Sequence, residues 1–219
     1  MIFVNFKTYE KGTGAEALRL IKILEEASHE RQIRVIPVIQ SSDIKEAVLT
    51  TKLEVWAQTV DPVDFGAHTG SVLAQALSED GAMGTFLNHS ENKFKTFGEL
   101  ETSYNLSVKA GLRTLIFAGD LTELKRVVEL KPNYVSYEPP ELVGSKTTSV
   151  AQAKPEIIEK AADVARAHDL PLIVGAGVKS AEDVRVSLQL GAIGIAVASD
   201  IVLARDPKKE ILELMEGFE

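Results

Sequence analysis

Eight short apolar runs recur along this chain, at residues 2–6, 33–39, 53–58, 84–88, 114–118, 134–138, 172–174 and 193–197. They are rich in Val, Ile and Phe, and several show little polar alternation. That pattern suits strands buried on both faces of a parallel sheet. Helical spacing fills the intervals. Residues 15–28 carry Ala17, Leu18, Ile21 and Leu24 on one side, with Glu16, Arg19, Lys22 and Glu26 elsewhere. Residues 155–168 set Ile157, Ile158, Ala161, Ala162 and Ala165 against Glu156, Glu159, Lys160 and Arg166. Ser180 precedes Ala181-Glu182-Asp183, an N-cap followed by acids in a first helical turn. Lys154-Pro155-Glu156 and Asp206-Pro207 place proline at two further helix starts. Eight strand–helix units with no linker and no low-complexity segment predict an α/β fold, a single (β/α)₈ barrel domain spanning residues 1–219. A doubly wound open sheet is the alternative, but the Gly-rich first turn of a dinucleotide site is absent after strand one.

Composition narrows the classes of function. With 45% hydrophobic residues the chain can bury a large core. No apolar run approaches the roughly 18 residues of a membrane span. The start, Met1-Ile2-Phe3-Val4-Asn5-Phe6-Lys7, lacks the basic-then-apolar layout of a signal peptide, so a cytoplasmic protein is expected. There is no cysteine, hence no disulfide and no thiolate metal site. A formal charge of −8 argues against binding a nucleic-acid backbone. It leaves room for a small anion, because a local positive pocket can oppose the global sign.

In a (β/α)₈ barrel, reactive groups lie at the C-terminal ends of the strands. Strand one ends in Asn5-Phe6-Lys7; alternation sends Asn5 and Lys7 to one side, where a fixed cation could hold a phosphate or a developing oxyanion. A lone lysine there is otherwise a solvated charge. Strand four ends in Asn88-His89-Ser90-Glu91; if Ser90 and Glu91 open a helical turn, its N–H groups favour a neutral imidazole at His89. His29, His68 and His168 sit in helix-end or loop contexts. Strand six ends in Tyr137-Glu138-Pro139-Pro140-Glu141-Leu142-Val143-Gly144-Ser145. The prolines forbid a helix directly after Glu138, and the Gly-Ser end can bend toward an anion. A carboxylate beside a stiff-ended, closable loop is what a general base under a lid needs; a strand end followed by a surface loop is the plainer reading. Strands seven and eight end in Gly175-Ala176-Gly177-Val178 and Val197-Ala198-Ser199-Asp200, where small residues let backbone N–H groups approach a phosphate.

Taken together and in order, these pieces, with Gly66-Ala67-His68-Thr69-Gly70, make the chain resemble the triosephosphate isomerase family over nearly its whole length, and most of all its compact archaeal-type branch. The resemblance implies interconversion of two phosphorylated trioses, dihydroxyacetone phosphate and glyceraldehyde 3-phosphate, with no metal and no organic cofactor. It implies Glu138 as the proton-transferring base and neutral His89 as the group polarising the carbonyl; this enzyme is a standard example of that pairing. Lys7 would stabilise the enediolate and the phosphate, Asn5 would orient both, and Glu91 would hold base and lysine in register. Gly144, Ser145, Gly175, Gly177, Ala198 and Ser199 would form the phosphate-binding loops. Thr69 matches a loop that enters a neighbouring subunit in the family, which implies a homodimer or homotetramer.

The chain departs from the family at Gly144-Ser145-Lys146, where Gly-Thr-Gly is usual, and the stretch that follows is one residue longer than expected. Two rival readings are weighed by the same residues. A Schiff-base aldolase needs a lysine late in the barrel, whereas strand six ends in Glu138. For a non-catalytic barrel that binds a phosphorylated ligand, the set of Lys7, His89 and Glu138 argues against and Lys146 in the lid argues for.

Overall fold

The eight runs become eight parallel strands that close into a barrel in chain order: β1 (Ile2–Asn5), β2 (Val35–Ile39), β3 (Trp56–Ala57), β4 (Gly84–Leu87), β5 (Arg113–Ala118), β6 (Tyr134–Tyr137), β7 (Leu172–Val174) and β8 (Gly194–Val197). The computed structural model describes residues 1–138, 155–175 and 177–219. Closure falls between the first and last strands, with Ile2, Phe3 and Val4 in register with Ile195, Ala196 and Val197. Every strand is parallel to its neighbours, so all eight C-terminal ends open on one rim. Six of the strands are shorter than their apolar runs, most of all β3, while β7 matches its run and β5 begins one residue before its own.

The helices follow the predicted spacing. The first, Gly14–Arg31, buries Ala17, Leu20, Ile21, Leu24 and Ala27 against the outside of the barrel. Pro155–Arg166 buries Ile158, Ala161, Ala162 and Ala165. The expected caps form: Ser180 and Asp183 make a reciprocal capping box at the start of Ala181–Gln189. The Asp206 side chain accepts from the Lys209 N–H at 3.1 Å, with Pro207 in the first turn of Pro207–Met215. Among the described residues, no helix is long and apolar enough to cross a membrane.

Alternation sorts the strand side chains into two cores. Outward residues such as Ile2, Val4, Val35, Ile116 and Val174 pack under the helices. Inward residues fill the barrel: Phe3, Ile36, Val38, Trp56, Phe86, Leu115, Phe117, Tyr134, Ile173 and Ala196. The aromatic members interlock in edge-to-face and tilted contacts. Phe3 meets Trp56 with ring centroids 5.1 Å apart, Phe86 at 5.7 Å, and Phe86 meets Phe117 at 4.8 Å. At the opposite, N-terminal mouth, Glu54 pairs with both Arg34 (2.5 Å) and Arg113, and Arg34 also donates to the Tyr134 hydroxyl at 3.1 Å.

Trp56 can lie across the interior only because its neighbour in β4 is glycine. A Cβ on Gly84 would sit 2.5 Å from a Trp56 ring carbon and 2.7 Å from the Arg113 carbonyl. One obstacle is backbone, so the contact cannot relax by a rotamer change. Gly84→Ala is expected to cost about 1–3 kcal/mol through overpacking, which thermal melts would report as a clear fall in Tm. An unchanged Tm would mean that the indole has free space to move into.

Candidate active site

The rim at the C-terminal ends holds a cleft lined by Asn5, Lys7, Tyr9, His89, Glu138, Gly177, Ala198 and Ser199, with the inward rings of Phe86 and Phe117 as its floor. Strands one, four and six thus bring together residues that lie more than a hundred positions apart in sequence. Asn5, His89 and Glu138 are buried although polar, so each needs partners.

Lys7 sits just past the end of β1, where the backbone turns left-handed (φ 48°). Its N–H donates to Asn5 Oδ1 at 3.0 Å, and Gln58 donates to both Asn5 Oδ1 (3.3 Å) and the Lys7 carbonyl (2.9 Å). These bonds hold the turn that aims the ammonium into the cleft. Lys7 Nζ meets Glu91 Oε1 at 2.7 Å, and among the described lining residues it is the only lysine or arginine.

His89 follows β4 in a tight turn, with the Asn92 N–H donating to the His89 carbonyl at 2.8 Å. Ser90 and Glu91 occupy that single turn and no regular helix continues from it; the next helix starts at Phe97. A single local bond supplies what a helix start was expected to supply. The Glu91 N–H donates to His89 Nδ1 at 3.1 Å. Nδ1 is therefore an acceptor, and the ring proton belongs on Nε2. Nε2 lies 3.4 Å from Glu138 Oε2. The ring also stands edge-on to Phe117, centroids 4.9 Å apart.

Glu138 ends β6, its N–H bonded to the Ala118 carbonyl at 3.0 Å. Its Oε2 accepts from the Ser90 hydroxyl at 3.2 Å and faces His89 Nε2. Glu91 reaches Lys7 but not Glu138; Ser90 and His89 hold the carboxylate instead. The other oxygen, Oε1, fills the space beside Gly175, where a Cβ would lie 2.6 Å away.

The sequence-predicted residues thus divide. Asn5, Lys7, His89, Glu138, Gly177, Ala198 and Ser199 line one cleft. Glu91 joins it through Lys7. Gly175 stands behind Glu138 and leaves room for the carboxylate. Thr69 is exposed in the loop after β3, beside the strongly exposed Phe65. Gly144 and Ser145, with Pro139, Pro140 and Lys146, lie outside the described residues. Sequence reading missed Gln58, Ser90 and Tyr9. Gln58 ends the third apolar run, so the strand-end argument reaches it; Ser90 and Tyr9 carry no signal beyond adjacency to His89 and Lys7.

Comparison with known proteins decides the lineage. The chain matches the family described as Triosephosphate isomerase over residues 1–216. This chain belongs to the triosephosphate isomerase family. The triosephosphate isomerase of Methanothermus fervidus is 36% identical over 217 residues, covering 98% of this chain and 97% of that protein. That of Methanocaldococcus jannaschii is 34% identical over 218 residues, covering 99% of each. Such relatives fit the archaeal-type reading of the motifs. In fold, the crystal structure of triosephosphate isomerase from Bartonella henselae superposes with a TM-score of 0.79 at 17% identity, covering 99% of this chain and 98% of that one.

The Gly175 contact generates a test. In Gly175→Ala the added methyl group displaces Oε1 while the fold stays intact. Turnover should fall about ten- to a hundredfold, the scale expected when a reacting group moves by the order of an ångström. Steady-state kinetics beside a thermal melt would separate this from unfolding, and unchanged kcat would show that the carboxylate does not need that space.

Proposed function

We propose that this protein interconverts dihydroxyacetone phosphate and D-glyceraldehyde 3-phosphate through an enediolate, as an aldose–ketose isomerase of glycolysis and gluconeogenesis. Family membership supports the reaction. One observation carries the assignment of roles: Glu138 and His89 Nε2 face each other across 3.4 Å in a cleft that also holds Lys7.

The carbon acid and the carbonyl oxygen of the substrate are vicinal, so isomerisation needs a base at carbon and a donor at oxygen only a few ångströms apart. Glu138 is the base. It takes a proton from C1 of the ketose and returns it to C2. His89 donates its Nε2 proton toward the carbonyl oxygen, with Nδ1 kept as acceptor by the Glu91 N–H. A neutral donor suits this step, since it passes a proton to the oxygen and recovers one from the neighbouring hydroxyl without an imidazolium intermediate. Lys7 offsets the negative charge on the enediolate oxygens and on the phosphate, and a fixed cation in a confined cleft is effective there. Asn5 orients Lys7 through its backbone bond. Backbone N–H groups at Gly177, Ala198 and Ser199 receive the phosphate on the far side of the cleft. The same reading makes the protein cytoplasmic, without a cofactor, and a homodimer or homotetramer joined through the loop bearing Thr69, where Phe65 offers an exposed apolar contact.

The test is a coupled assay of glyceraldehyde 3-phosphate isomerisation with 2-phosphoglycolate, which mimics the enediolate. Turnover should be present and competitively blocked; absence of turnover would overturn the reading. In Glu138→Asp the base retracts by one methylene group. That variant should fold and lose about a hundredfold or more in kcat, and near-native kcat would remove Glu138 from the role of base. For assembly, sedimentation at micromolar concentration should give a dimer or larger species, and monomers alone would refute the Thr69 interface.

A further inference from the structure

His89 depends on a strained residue directly before it. Asn88 has φ 59°, in the left-handed region, and is almost fully buried. Asn visits that region more readily than most residues, but the conformation persists only where neighbours hold it. Every polar group of its side chain is engaged. Nδ2 donates to the Phe117 carbonyl at 3.0 Å and to Glu123 Oε1 at 2.8 Å, and Oδ1 accepts from the Phe94 N–H at 3.4 Å.

Glu123, in the helix Leu121–Val127, extends this network. Its Oε2 accepts from Lys93 Nζ at 2.6 Å and from the Gly119 N–H at 2.7 Å. One carboxylate therefore ties three segments together: the end of β4, the turn that carries His89, and the exit of β5. Burial pushes the Glu123 carboxyl up, but hydrogen bonds from Gly119, Lys93 and Asn88 outweigh it and hold the group below its usual range. It is thus ionised at neutral pH and can serve as acceptor to all three donors. Phe117 completes the arrangement from β5: its carbonyl binds Asn88 while its ring stands edge-on to the imidazole. Asn88, Lys93 and Glu123 do not line the cleft.

We propose that Asn88, Lys93 and Glu123 form a clamp that fixes the direction of the His89 ring, and that they are positioning residues for proton transfer at the substrate oxygen. The inference rests on the isomerase reading for its kinetic consequence, though not for its structural one. Glu123 satisfies donors on both sides of the turn. Its loss frees Asn88 to leave the left-handed region and His89 to turn with it. The geometry at Nε2 then degrades before substrate binding does, because the phosphate is held elsewhere.

The experiment compares wild type with Glu123→Gln, Asn88→Ala and Lys93→Met, reading kcat, KM, Tm and the ring-nitrogen NMR spectrum of His89. Glu123→Gln and Asn88→Ala should lower kcat about ten- to a hundredfold with KM little changed. His89 should also lose the spectrum of a single Nε2–H tautomer. Lys93→Met should move both readouts the same way by less. A fall in Tm with kcat and the His89 spectrum unchanged would overturn the clamp, leaving only a structural role. Should Glu123→Gln not fold, Lys93→Met decides: its side chain is partly exposed, and native kcat and spectrum there would overturn the proposal. If the wild-type chain does not isomerise triose phosphates, the isomerase reading fails, and the His89 spectrum alone then confirms or overturns the clamp.

Discussion

Everything at the rim depends on the closure of β1 onto β8. Because all eight strands run parallel, closing the ring puts residues 5, 89 and 138 on one edge of one cylinder. The interior makes that closure rigid. Phe3, Phe86 and Phe117 form a run of ring contacts, tilted between Phe3 and Phe86 and edge-to-face from Phe86 to Phe117, whose last ring abuts His89. The floor of the cleft is therefore the top of the core. A packed interior resists small displacements, which is what a site that moves protons between adjacent carbons requires.

Local hydrogen bonds then finish what the barrel begins. The three polar side chains at the centre are buried, and each is held by a backbone or hydroxyl group from a different direction. Gln58 and the Lys7 turn hold Asn5, the Glu91 N–H sets the His89 tautomer, and Ser90 secures Glu138. Three of these seven residues belong to the stretch from His89 to Glu91. One short turn after β4 thus carries the proposed oxygen-side donor, the hydroxyl that restrains the base, and the partner of the lysine. That concentration explains why a separate clamp on Asn88 would matter.

Much of this was legible in the sequence. The parallel barrel followed from eight apolar runs, several with little polar alternation, and helix starts followed from Ser180, Pro155 and Pro207. Asn5, Lys7, His89 and Glu138 followed from the rule that strand ends carry chemistry. What failed to read out was tertiary. Nothing local distinguishes a single turn from a helix start after His89, so only the fold shows that one N–H, that of Glu91, meets Nδ1. Gly175 looked like an anion loop because glycine at a strand end allows either a bound phosphate or a neighbour's side chain. Only the fold reveals that Glu138 fills the space. Gln58 reaches Asn5 and Lys7, and Glu123 reaches Asn88 and Lys93, across thirty or more positions, and periodicity carries no information at that range.

In the proposed reaction one carboxylate, Glu138, moves the proton at carbon. Dihydroxyacetone phosphate incubated with the protein in deuterium oxide and followed by proton NMR tests it directly. A single base on one face of the substrate exchanges only one of the two C1 hydrogens. Stereospecific uptake of one deuterium at C1 is expected, abolished in Glu138→Gln. Exchange of both hydrogens, or exchange that survives in Glu138→Gln, would contradict it.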